Sequence, residues 1–131
     1  MKTLISLLML MAMVFVVSCD DDDSKNNEAN TLGVGAQCEV VEDCDAETGQ
    51  TCLFDFKGGY CGMADCQADD ECPEGSRCVA HDDGSNYCFL VCTDKLECNV
   101  NRDVDNESNC SSSITFVEEP QDSKACIPPS N

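Results

Sequence analysis

The sequence predicts a small disulfide-rich protein: three tandem four-cysteine modules, each with a short β-hairpin, and little helix in the mature chain. Three observations carry that prediction. Cysteines fall in sets, Cys38, Cys44, Cys52 and Cys61, then Cys66, Cys72, Cys78 and Cys88, then Cys92, Cys98, Cys110 and Cys126, and each set opens with a five-residue gap. The sets begin 28 and 26 residues apart, a period at which small units are copied in tandem. Apolar residues are scarce beyond the first eighteen, and the chain has no tryptophan, two tyrosines and five phenylalanines. Burial so thin cannot offset chain entropy without covalent staples. Thirteen cysteines in 131 residues also point to an oxidising compartment, where disulfides persist.

Residues 1–18 read as a signal peptide. Lys2 supplies a positive start, and Leu4 to Val17 is a fourteen-residue apolar stretch interrupted only by Ser6, short for a membrane span but the size of a signal core. It ends in Val16-Val17-Ser18-Cys19, which resembles the lipobox of bacterial lipoproteins. That resemblance implies cleavage before Cys19, a thioether-linked diacylglycerol on its sulfur and, in many lineages, a further fatty-acyl chain on its amine. The chain would then meet the membrane through this lipid. Two or three acyl chains are needed because each buried methylene is worth about 0.8 kcal/mol and one chain anchors only marginally. The cysteine count agrees, since setting Cys19 aside leaves twelve in three groups of four.

Residues 19–37 follow as the lipidated cysteine and an acidic tether. Asp20 to Thr31 has four consecutive aspartates, no periodicity and no aromatics, so it is expected to stay disordered. Aspartates behind a lipidated cysteine resemble the tag that sends some lipoproteins to the cell surface. In enteric-type systems an aspartate directly after that cysteine instead marks inner-membrane retention. The expected location is the bacterial cell envelope, at the outer membrane or cell surface rather than the inner membrane.

The modules occupy 38–61, 62–88 and 89–131. Their opening gaps, EVVED, QADDE and TDKLE, are too short for a helix of any length and suit one helical turn or a bend. In the first, Cys52 to Phe56 leads through Lys57-Gly58-Gly59 to Tyr60-Cys61. In the second, Arg77 to His81 leads through Asp82 to Ser85 and on to Asn86-Tyr87-Cys88. Aromatic and β-branched residues around a glycine-bearing turn predict hairpins. Tyr60 and Tyr87, each just before a fourth cysteine, are expected to pack over the bridges. In the third module Ser111 to Val117 is the most strand-like run, Val117 to Asp122 the expected bend, and Ile127 to Asn131 a frayed tail.

Four cysteines allow three pairings in each module. The favoured one joins first to third and second to fourth, stapling the opening loop onto both strands: Cys38–Cys52 and Cys44–Cys61, Cys66–Cys78 and Cys72–Cys88, Cys92–Cys110 and Cys98–Cys126. The stretch from Cys66 to Cys92, with its five-five-nine spacing and Gly75-x-x-Cys78, resembles the cysteine-rich modules of Dickkopf-type secreted antagonists. The chain as a whole resembles cysteine-rich tandem-repeat lipoproteins of Gram-negative bacteria, a likeness that implies no catalytic activity.

Charge narrows the partners. Removing residues 1–18 leaves six basic and twenty-six acidic residues, a net charge of −20, which repels nucleic acid and anionic membrane surfaces. Zinc by thiolate prefers cysteine pairs two to four residues apart, and here there is no C-x-x-C and five-residue gaps dominate. Asp103, Asp105 and Glu107 alternate like the start of an EF-hand loop. However, Ser108 stands where glycine is needed and Ile114 where the closing glutamate belongs. They, and Asp82 to Asn86, read more plainly as solvated turns. His81 is the only histidine, expected as an exposed ring at a strand end, and no serine sits in a nucleophile-elbow pattern.

These readings converge on a non-enzymatic, lipid-anchored, extracytoplasmic module that requires no cofactor. A protein or glycan partner would be met at the hairpin tips Lys57–Gly59, Asp82–Ser85 and Glu118–Asp122. Two alternatives stand beside it: a small secreted-type inhibitor or effector that inserts one hairpin into a target, and a calcium-dependent adhesion module.

Overall fold

The computed structural model describes residues 33–119 and 122–131. The predicted signal peptide, Cys19 and the aspartate run lie outside the described residues. Six disulfides staple the chain: Cys38–Cys52, Cys44–Cys61, Cys66–Cys78, Cys72–Cys88, Cys92–Cys110 and Cys98–Cys126. Short antiparallel strands and little helix complete a small disulfide-rich fold.

One register rule repeats in every module. The first hairpin pairs β1 (Thr51–Cys52) with β2 (Cys61–Gly62), setting Cys52 opposite Cys61. In the second, β3 (Ser76–Ala80) pairs with β4 (Asn86–Cys92), setting Cys78 opposite Cys88. In the third, β5 (Asn109–Ser111) pairs with β7 (Lys124–Ile127), setting Cys110 opposite Cys126. Directly opposed residues on antiparallel strands point to the same face. The third and fourth cysteines therefore reach the same way, to the opening loop, and bond to it rather than to each other.

The opening loops are acidic for a local reason. The carboxylate just before the second cysteine turns back to the backbone N–H just after the first. Asp43 accepts from Glu39 at 2.8 Å, Glu71 from Gln67 at 2.7 Å and Glu97 from Thr93 at 2.8 Å. Each closes a single turn, a 3-10 turn over Val41–Asp43 and Asp69–Glu71, and the four-residue α1 over Lys95–Cys98. These carboxylates act as caps, satisfying donors that a short turn leaves open.

The modules are not separate beads. β4 carries Cys88 of one staple set and Cys92 of the next, pairing with β3 along its first part and with β7 through Val91 and Cys92. With β6 (Thr115–Phe116), a five-stranded sheet results, in the order β5-β7-β4-β3-β6. Along β4 the period of two sends Cys88 and Cys92 to one side, Tyr87 and Phe89 to the other. The aromatics meet Phe56 and Tyr60 of the first module and Val79, Phe116 and Ala125 in one shared core.

Several expectations need correction. Tyr60 and Tyr87 belong to this shared core, not to a cover over their own bridges, because the cystines cluster apart. Thr115 and Phe116 form β6, but β6 pairs with β3 through Val79–Phe116 and Ala80–Thr115, so it has no hairpin bend to β7. The fifteen-residue gap between Cys110 and Cys126 is long enough for its middle to cross to the far edge. The tail is tied down. Pro129 accepts from the Lys57 N–H at 2.8 Å, Ser130 bridges Phe56, and the Asn131 N–H donates to Asp55 at 3.0 Å. At the other end, Val34 to Gln37, placed by sequence in the tether, are structured: Val34 enters the core, and Ala36 and Cys61 share a backbone hydrogen bond.

Candidate functional site

Of the three predicted tips, Lys57–Gly59 is an internal joint. Arg102, from the third module, inserts its guanidinium here and is 9 % exposed. It donates to the carbonyls of Lys57 at 2.8 Å, Gly59 at 2.9 Å, Gly35 at 3.3 Å and Asn106 at 2.8 Å. The Lys57 ammonium reaches the Asp105 carbonyl at 2.9 Å, and a Cβ on Gly58 would run into Asn106. Burial lowers the Arg102 pKa, while Tyr60 beside it works the other way. The composition gave no signal for Arg102, because an arginine in a polar loop reads as surface.

The predicted calcium ligands are not brought together. Asp103 accepts from the Gln37 side chain at 2.9 Å, Glu107 pairs with Lys95, and Asp105 offers its backbone carbonyl to Lys57. Asp103 and Asp105 hold the third module to Gln37 and Lys57, while Glu107 is used inside the third module itself. Among the described residues, the clusters of potential metal-binding side chains are the cystine sulfurs of each module. Bridged sulfur is not the thiolate a metal needs.

Glu118, Glu119 and Asp122, the described part of the third tip, are exposed. Glu118 and Glu119 share a broad open cleft with Asp69, Asp70, Arg77 and Ser123. Glu118 accepts from the Asp69 N–H at 2.6 Å, and Arg77 pairs with Asp69 at 3.0 Å. Glu118 is thereby tied to the opening loop of the second module.

The Asp82–Ser85 tip stays at the surface, with Asp82, Asp83 and Gly84 exposed. Its shape comes from Asp83, which accepts from the Ser85 N–H at 2.9 Å and the Tyr87 hydroxyl at 2.9 Å. The Ser85 N–H is the main cause holding the Asp83 carboxyl below its usual pKa. His81 is not the exposed ring expected. Its side chain is 13 % exposed, with edge contacts to Phe56, Tyr87 and Phe89 at centroid distances of 5.5–5.9 Å. Its Nδ1 lies 3.3 Å from Asp83 Oδ1. Beside this tip, between the end of β3 and the 111–115 segment, is a cleft of roughly 370 Å³.

The arrangement defines a class: a disulfide-stapled small protein in which, among the described residues, several loops are spent on internal joints and the Asp82–Ser85 tip stays at the surface beside a cleft. Compared with known proteins, the chain matches no family model, no curated protein and no solved structure.

Proposed function

We propose that this protein is a non-enzymatic binding or structural module of the bacterial cell envelope, held to the membrane by lipid on Cys19 and displayed at the outer membrane or cell surface. The observation that carries the reading is the sulfur count. Every cysteine from Cys38 onward is bridged within its own set of four, which leaves Cys19 as the one cysteine outside that scheme. A disulfide-dense fold belongs in an oxidising compartment. In the sequence, Cys19 stands where the lipobox-like Val16-Val17-Ser18 would present it for acylation.

Intact mass spectrometry of the membrane fraction, with alkylation before and after reduction, tests this. The native protein should take up no alkylating agent and the reduced protein twelve equivalents, matching the bridged cysteines. Its mass should place an acyl-modified Cys19 at the amino terminus. Unmodified Cys19, or free thiols in the native protein, would remove the reading.

A further inference from the structure

We propose that the cleft beside the Asp82–Ser85 tip is a saccharide subsite for the end of a neutral, polyhydroxylated chain. This deepens the binding reading above and rests on it. The volume, roughly 370 Å³, lies at the small end of the ~300–1,000 Å³ typical of small-ligand sites.

Its walls divide by chemistry. Ile114 and Ile127 are half-buried and back onto the core, offering apolar surface to the C–H face of a sugar ring. Asp82, Ser113 and Thr115 line the same cleft and are exposed. Among the described residues none of these three side chains has a hydrogen-bond partner. His81 also lines it, and with Nδ1 beside Asp83 its Nε2 is left without one. A carboxylate, two hydroxyls and an imidazole nitrogen next to an apolar wall match alternating hydroxyl and C–H groups.

Charge and rigidity narrow the class. The lining holds no lysine or arginine and includes Asp82, within a chain of formal charge −19. Phosphates and carboxylates are therefore repelled. An extended peptide would need an open ladder on β3, but that edge is taken by β6 through Ala80–Thr115. Both walls are pre-set. Cys66–Cys78 and Cys72–Cys88 staple the hairpin, and the Ser111 hydroxyl accepts from the Ser113 N–H at 3.1 Å. A site that needs no ordering on binding retains more of its contact energy.

The test is saturation-transfer NMR on the full lipidated protein in a zwitterionic detergent without sugar headgroups. The probes are methyl glycosides of neutral and N-acetylated hexoses and their disaccharides, with tetramethylammonium as a cationic control. Transfer should reach the ring protons of at least one probe, with affinity on the order of millimolar. Ser113→Arg, which fills the cleft from an exposed position, should weaken binding at least about tenfold. Val104→Arg, at an exposed residue outside the cleft lining, should leave binding and melting unchanged. No transfer to any sugar, equal transfer to wild type and Ser113→Arg, or displacement of the sugar by tetramethylammonium overturns the proposal. The mass experiment is read independently, so loss of the sugar site leaves the anchored, bridged module standing, and the reverse.

Discussion

The Arg102 guanidinium carbon stands 5.6 Å from the centre of the Tyr60 ring, and the guanidinium donates to the backbone carbonyls of Gly35, Lys57, Gly59 and Asn106. In a chain with twenty-six acidic residues, the buried cation is neutralised by peptide dipoles and a ring face. The physical reason is geometric. A guanidinium fork can serve several carbonyls at once, and the tightly turned 57–59 loop presents two of them together. Arg102 and Tyr60 come from different staple sets, so this contact welds the third module to the first where no covalent bridge does.

Arg102→Met should therefore cost about 3 kcal/mol, because buried carbonyls lose their donors. Arg102→Lys should recover only part, since an ammonium cannot replace the fork. Denaturant melts under non-reducing conditions measure both. Hydrogen exchange should locate the loss at Cys38, whose N–H donates to Gly58, while Cys78 and Cys88 stay protected. A uniform loss across all three modules would contradict the joint.

The three loop-closing carboxylates should not be equal. Asp43 is 5 % exposed and its Oδ2 accepts two backbone donors, Glu39 at 2.8 Å and Val40 at 3.1 Å. Glu71 serves Gln67 alone, from an exposed position. Asp43→Ala is expected to cost roughly 1–3 kcal/mol and Glu71→Ala about 1 kcal/mol or less. Thermal melts of the oxidised variants decide it, and equal costs would mean that burial and the second donor add nothing to the Asp43 turn.

Gly59 and Gly84 both adopt positive φ, 67° and 90°, yet substitution should separate them. A Cβ on Gly59 would stand 2.2 Å from the Cys38 carbonyl oxygen and 2.8 Å from the sulfurs of Cys38 and Cys52, whereas Gly84 has nothing within 4 Å. Gly84→Ala should cost only the left-handed backbone penalty, about 1–2 kcal/mol. Gly59→Ala should block closure of the first module, read as free thiols at Cys38 and Cys52 after oxidative refolding. Full oxidation of that variant would show that the loop can move aside.

What the sequence made legible was local. Cysteine spacing, a glycine turn between aromatics and the five-residue gaps each report on neighbours a few residues away, and the small disulfide-rich fold follows from them. The acid before each second cysteine was visible in EVVED, QADDE and TDKLE, but its role as a cap needs the backbone geometry of the turn. The long-range joints left no pattern. β6 joining β3, Arg102 entering the 57–59 loop and Asn131 lying along Asp55 each unite residues more than thirty positions apart through single side chains or two-residue strands. Periodicity cannot register so short a signal. The same brevity made Asp103, Asp105 and Glu107 resemble a ligand series, when Gln37 and Lys95 hold two of them.

The tyrosines offer a test of the shared core that needs no mutation, since the chain has two tyrosines and no tryptophan. Burial pushes the Tyr60 pKa well above the usual 10.0, against a hydrogen bond from the Leu90 N–H and the charge of Arg102, which both favour the phenolate. Burial and then Asp83, which accepts the Tyr87 hydroxyl proton, raise Tyr87 in the same direction. An acid whose folded pKa is raised holds its proton longer folded than unfolded. The resulting stabilisation is complete below the unfolded value near 10 and is lost as pH climbs through it toward the folded values. Absorbance at 295 nm should therefore show no phenolate step centred at about pH 10 in the oxidised protein. Both tyrosines should ionise at higher pH, Tyr60 together with the loss of near-ultraviolet circular dichroism. The reduced, denatured chain should titrate normally. A native protein showing a phenolate step centred at about pH 10, with half the total amplitude or more, would mean that Tyr60 or Tyr87 meets water, and that the modules do not share the core described.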